Sequence, residues 1–182
     1  MVTYIPSSMA YISTRKVLWS VIYLFLATIA LAQEPILHGR CVGVTDGDTI
    51  RVLTADQQQF RIRLAWIDAP EKGQAFSSKA KQAMSELVFA KEVELRVHAI
   101  DRYGRLVCLV FVEGKDVGLE LTKRGLCWCY EHYLHEAPAD VQQSYRAAES
   151  AARDNHLGLW VDTNPQPPWK YRQMRRAKLE GQ

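Results

Sequence analysis

The chain has 182 residues, of which 48% are hydrophobic and 24% charged, with a formal net charge of +3. That length and balance fit one ordinary globular domain. Two cations and no acids lie in the first 32 residues, so the remaining 150 carry only +1; overall charge is thereby excluded as the source of any affinity for a polyanion, which would have to come from local clusters.

Arg15 and Lys16 precede an apolar run over 17–32, interrupted by Ser20, Thr28 and the hydroxyl of Tyr23, that ends Ala30-Leu31-Ala32. A membrane-spanning helix needs about 20 apolar residues, more than this run supplies. Basic flank, short apolar run and small-x-small end predict a signal peptide over 1–32, cleaved near Ala32/Gln33. The product would be secreted or periplasmic. The alternative is an uncleaved N-terminal membrane anchor, and Met9 is an alternative start. The domain is expected over 33–169, with a basic tail over 170–182.

Residues 38–44 read as a first strand. Asp46-Gly47 signals a hairpin turn, and a second strand follows over 48–53. Residues 55–58 make another turn. From Phe60 to Ile67 the residues alternate, with Phe60, Ile62, Leu64 and Trp66 on one face and Arg61, Arg63, Ala65 and Ile67 on the other. Asp68 ends this third strand, Pro70 forces a turn, and Glu71 follows. Residues 76–90 carry a helical apolar stripe, with Ser77 and Ser78 placed to cap it. Strands are expected over 92–100 and 106–112, joined by the turn Asp101-Arg102-Tyr103-Gly104-Arg105.

A short helix over 117–124 is stopped by Gly125. A longer one over 139–156 places Val141, Tyr145, Ala148 and Ala152 on one side. Leu157-Gly158-Leu159-Trp160 should pack back on the core, and 164–169, with three prolines, reads as irregular. The cluster Lys170, Arg172, Arg175, Arg176 and Lys178 is either a solvated helix end or a nucleic-acid contact. Five strands and about three helices, one of them between the third and fourth strands, predict an α+β fold on a five-stranded OB-fold barrel. The four cysteines, Cys41, Cys108, Cys127 and Cys129, allow three disulfide pairings or remain buried thiols.

The chemistry concentrates at strand ends. Asp48 and Asp68 are carboxylates that can meet where neighbouring strands pair, and hard oxygen donors suit calcium or magnesium. Glu71 is placed to act as a general base, and Arg63 and Arg105 to hold phosphate oxygens with planar, permanently charged forks. Taken singly, each has an ordinary role as a turn acid, loop carboxylate or surface strand arginine. Together they predict a metal-assisted phosphodiesterase site.

Three ordered motifs carry a resemblance. Asp46-Gly47-Asp48-Thr49, then Arg63-Leu64-Ala65-Trp66-Ile67-Asp68-Ala69-Pro70-Glu71, then Asp101-Arg102-Tyr103-Gly104-Arg105 resemble the staphylococcal (micrococcal, thermonuclease) nuclease family, over about 38–169. The resemblance implies a calcium-dependent endonuclease cutting DNA and RNA to leave 3′-phosphate ends; a monomer with no stable membrane partner after signal cleavage is expected. It makes Asp48, Asp68 and the carbonyl of Ala69 the Ca2+ ligands, with Asp46 behind them. Glu71 is then the base, and Arg63 and Arg105 the phosphate arginines. Arg102 and Tyr103 would contact a terminal phosphate, and Tyr130 with Tyr133 a base or sugar. The chain departs from the family pattern at Gly118, where an asparagine is usual, in the short segment after Glu71, and at Cys127-Trp128-Cys129. A non-catalytic OB-fold nucleic-acid binder is the alternative function; a structural envelope protein is a third, but it leaves the clustered acids and arginines unexplained.

Overall fold

The computed structural model describes residues 35–181, so the expected signal peptide lies outside the described residues. Strands β1 (Ile36–Val44), β2 (Thr49–Leu53) and β3 (Gln59–Leu64) form an antiparallel meander. The short β4 (Ile67–Asp68) follows, then helix α1 (Ser77–Val88), and then strands β5 (Glu92–Ile100) and β6 (Leu106–Val112). β5 pairs with both β1 and β6, and a parallel β3–β6 pairing, Ile62 to Leu106 through Leu64 to Cys108, closes the sheet. The result is a closed five-stranded barrel of OB type, as expected from the strand pattern. Closure leaves its five main strands paired on both sides.

The barrel interior is apolar because alternate residues point inward. Cys41, Ile50, Val52, Ile62, Leu64, Leu95, Cys108 and Val110 are all buried there. The stripe on α1 covers one end of the barrel through Ala80, Ala83, Met84 and Val88. Its cap differs from expectation. Phe76, in the left-handed region at φ 64°, stands at the N-cap with no side-chain hydrogen bond, and Ser77 already belongs to the helix.

β7 (Lys115–Asp116) leads into α2 (Val117–Lys123), capped by Asp116 accepting from the Leu119 amide. β8 (Trp128–Cys129) pairs with β4 and precedes the short α3 (Glu131–Leu134) and the long α4 (Ala139–Asp154). On α4, Tyr145, Ala148 and Ala152 are buried, the face expected from the spacing. Gly125 follows α2 at φ 64°, and a Cβ there would lie 2.2 Å from the Leu157 carbonyl oxygen. Its own carbonyl accepts from the Leu159 amide at 2.7 Å, so the 3-10 turn Gly158–Val161 docks backbone to backbone. Leu159 and Trp160 then join Trp128 and Ala152 in a second, smaller apolar cluster.

Two expectations are corrected, and the alternative left open for the cysteines is decided. The third strand does not run to Ile67: Trp66 turns at φ 66°, and Ala65, Trp66 and Ile67 are all buried, so the two-face alternation ends at Leu64. The segment after the prolines is helical as α5 (Pro168–Glu180), which runs continuously across the boundary expected between 169 and 170. All four cysteines are buried free thiols, and β5 lies between the strands of Cys41 and Cys108. The departure at Gly118 has a local reason: a Cβ there would lie 2.7 Å from the hydroxyl of Tyr145, which donates to Asp116.

Candidate active site

The loop between β1 and β2 is tight. Asp46 accepts from the Asp48 amide at 3.1 Å, and a Cβ on Gly47 would lie 2.7 Å from that of Ala69 and 2.8 Å from that of Ala80. This close approach seats Asp48 beside the segment that follows β4. Asp48 Oδ2 accepts from the Ala69 amide at 2.9 Å, while its Oδ1 accepts from the Thr49 hydroxyl at 3.0 Å. Thr49 is the cross-strand partner of Arg63. The Arg63 guanidinium donates to Asp68 Oδ1 at 2.9 Å and lies 3.2 Å from Asp48 Oδ2. One cation therefore bridges two buried carboxylates.

The bend at Trp66 aims Asp68. Had the alternation continued, Asp68 would point with the barrel interior; instead β4 breaks away to pair with β8. Asp68 is 1% exposed. Burial raises its pKa, opposed by the hydrogen bond from Arg172 and the charge of Arg63. Asp46 is pushed up to about 6, first by burial and then by the neighbouring Asp48.

Glu71 lies just past Pro70. Its amide donates to the Gln74 side chain at 3.0 Å, and its carbonyl accepts from the Gln74 amide at 2.8 Å. The carboxylate is one-third exposed and faces the cleft. Arg105 immediately precedes β6, whose parallel pairing with β3 sets Val107 opposite Arg63. Asp101 accepts from the amides of Tyr103 and Arg105, both at 2.9 Å, and from Arg105 Nε at 2.7 Å. The Arg105 guanidinium thus reaches toward Thr49, at 3.5 Å.

Asp46, Asp48, Arg63, Asp68, Glu71, Arg102, Tyr103, Arg105, Tyr130 and Tyr133 line one cleft of about 620 Å³. Ala69 does not line it; it is buried behind the wall, with its amide on Asp48. Tyr103 is 61% exposed and lies under the guanidinium groups of Arg102 and Arg105. Tyr130 presents less free ring than the sequence suggests, because Trp169 stacks on it at 5.7 Å and 12°.

Several cleft residues fall outside the sequence-derived site set, among them His98, Glu136, Trp169 and Gln173, while the sequence places Arg172 and Arg176 only in the basic cluster read as a helix end or a nucleic-acid contact. The Arg172 guanidinium donates to both oxygens of Asp68, at 3.1 and 2.8 Å, and to Glu71 Oε1 at 2.7 Å. Burial works against its charge, but the bonds to Asp68 and Glu71 raise its pKa above the usual guanidinium value. The sequence signal was the helical spacing of Trp169, Arg172 and Arg176, hidden by the prolines before it.

The donor set fits a hard divalent cation. It is all oxygen, and a guanidinium already stands as cation on Asp68. Among the described residues, no group of three or more His, Cys, Asp or Glu is arranged to hold a metal ion; the acids offered are the pair Asp48 and Asp68.

Comparison with known proteins gives the family. The profile of the family described as staphylococcal nuclease homologue matches residues 61–162. An uncharacterized endonuclease of Haemophilus influenzae is 34% identical over 165 residues, covering 91% of this chain and 89% of that protein. A micrococcal nuclease of Shigella flexneri is 40% identical over 144 residues, covering 74% of this chain and 80% of that protein. A staphylococcal-like nuclease of Arabidopsis thaliana is 34% identical over 120 residues, but this chain spans only 35% of it. With the family profile covering more than half of the chain and full-length relatives above 30% identity, the chain belongs to the staphylococcal nuclease family, as a hydrolytic endonuclease acting on phosphodiester bonds.

Proposed function

We propose that the chain is a calcium-dependent endonuclease that cuts DNA and RNA to leave 3′-phosphate and 5′-hydroxyl ends, and that it is exported by its first 32 residues. The observation that supports this most is the convergence of Asp48, Asp68, Glu71, Arg63 and Arg105 on one cleft. Asp48 and Asp68 would hold the ion, which when bound supplies Lewis-acid stabilisation of charge on a phosphate oxygen. Glu71 takes a proton from a water in line with the scissile bond. The water oxygen bonds to phosphorus as the bond to the 5′-oxygen breaks on the opposite side, and that oxygen takes up a proton from solvent to leave as the 5′-hydroxyl. Arg63 and Arg105 donate to the non-bridging oxygens, where negative charge grows. Each is fixed beforehand, Arg63 by the two aspartates and Arg105 by Asp101. Arg102 and Tyr103 line the same cleft and suit a terminal phosphate, as Tyr130 and Tyr133 suit a base or sugar.

A plasmid-nicking assay in calcium, repeated with chelator and with Glu71→Gln, tests this reading. Nicking by wild type that vanishes with chelator and with the substitution is expected. Chelator-resistant cutting would overturn the role of the metal, and full activity in Glu71→Gln would remove Glu71 from the mechanism. End-labelling of the products reads the 3′-phosphate.

A further inference from the structure

Helix α5 closes one side of the cleft with a single face. Trp169, Arg172, Gln173 and Arg176 line the cavity, at helical spacings of i, i+3, i+4 and i+7. The helix is lightly held: Pro168 is its one buried residue. Its remaining anchors among the described residues are few. Trp169 stacks on Tyr130 and meets Trp128 edge-on at 5.6 Å, and the Gln74 side chain donates to the Gln166 carbonyl just before the helix. The strongest contact is electrostatic, the fork of Arg172 on Asp68 and Glu71.

That contact occupies the acids that the proposed function gives to a divalent ion. Asp68 Oδ1 already receives Arg63 and Arg172, and Oδ2 receives Arg172. An ion held by Asp48 and Asp68 would share a nearly dry carboxylate with a fixed guanidinium at hydrogen-bond distance. Like charges that close, in a site Asp68 shares with almost no water, repel strongly. Of the three cations then crowded on Asp68, the ion, Arg63 and Arg172, one has to give way. The one on a marginally anchored helix is the one able to move.

We propose that α5 is a latch released by divalent cations: Arg172 holds the helix shut across Asp68 and Glu71, and an ion taken up by Asp48 and Asp68 displaces it and loosens the helix from the cleft. The inference rests on the metal reading given above. It carries a reciprocal consequence, because two events that compete for one carboxylate weaken each other by the same factor. The factor by which calcium weakens α5 docking is the factor by which the Arg172 contact weakens calcium binding, so losing that contact raises calcium affinity.

The test is hydrogen exchange on the full chain, wild type and Arg172→Gln, in chelator and in saturating calcium, with calcium affinity measured by calorimetry. In chelator, Arg172→Gln should speed exchange over 168–180 by about tenfold while the barrel strands are unchanged, the scale of a charged hydrogen-bonded pair. Calcium should speed exchange of the same segment in wild type and leave it unchanged in Arg172→Gln. The variant should bind calcium about tenfold more tightly. Equal exchange of wild type and variant in chelator would overturn the latch. Calcium affinity that is unchanged or weaker in the variant would overturn the competition. Absence of calcium binding in both proteins would overturn the metal reading and the displacement with it, while the exchange in chelator still decides whether Arg172 holds the helix.

Discussion

The barrel rim and helix α5 face the same cleft but are built differently. On the rim, Asp48, Arg63 and Asp68 are tied to each other and to backbone amides within the sheet and its first loops. On α5, Arg172 reaches partners 101 and 104 positions away in sequence, from a helix with one buried residue. Groups that must hold a transition state within a fraction of an ångström belong on rigid strands. A group that must yield to an incoming ligand belongs on an element of low local stability. The same guanidinium chemistry therefore serves fixed positioning at Arg63 and reversible closure at Arg172.

The rim should carry the largest effects. Glu71→Gln is expected to lower the cutting rate by roughly 100- to 10,000-fold, the range for loss of a general base, with fold and nucleotide binding kept. Single-turnover cleavage beside a fluorescence binding titration would separate the two. Arg105→Gln should cost on the order of 100-fold in rate, as for one preorganised donor to a developing oxyanion. Its melting temperature should stay near that of wild type; a large fall would mean that Arg105 holds the barrel closed, and the rim would lose its claim to chemistry.

On the α5 side, Trp169→Ala removes the stacking on Tyr130 and the edge contact with Trp128. Two such aromatic contacts are worth about 1–3 kcal/mol together. Exchange over 168–180 should accelerate while β1, β2 and β5 keep their protection. Equal acceleration everywhere would erase the contrast between the two regions.

The smallest effect lies at the turn that aims Arg105. Burial works against the charged form of Asp101, but the Arg105 amide, the Arg105 side chain and the Tyr103 amide outweigh it and hold the pKa below the usual carboxylate value. A depressed carboxyl stabilises the fold above its unfolded pKa, about 3.9, and that stabilisation is lost as pH falls through the lower folded value. Asp101→Asn should therefore cost about 1 kcal/mol at neutral pH, comparable to a lost cap. Its stability should be flatter than that of wild type below about pH 4. Parallel acid denaturation curves for the two proteins would remove Asp101 as the turn's anchor.

The barrel and most of its rim were legible in the sequence because they follow from short-range pattern. Alternation predicted the core positions Ile62 and Leu64, and the acids and arginines sit at strand ends where turn residues mark them. The limits appeared where tertiary contacts override local preference. Trp66 takes a positive φ that no bulky residue chooses alone, and it does so because β4 pairs with β8, 60 residues downstream. Ser77 looked like a cap, but the chain enters α1 through Phe76 instead. Tyr130 looked available for stacking, but Trp169 already covers one face.

By itself the sequence determined which groups the molecule can bring to a phosphodiester: the carboxylates, the arginines and the apolar period that closes a barrel beneath them. Only the tertiary structure decided that a helix from the far end of the chain lays its own cation on Asp68 and Glu71. The reason is physical. Periodicity encodes which face of an element is apolar, whereas an ion pair across more than 100 residues depends on where two separately specified elements come to rest, and no local pattern carries that distance.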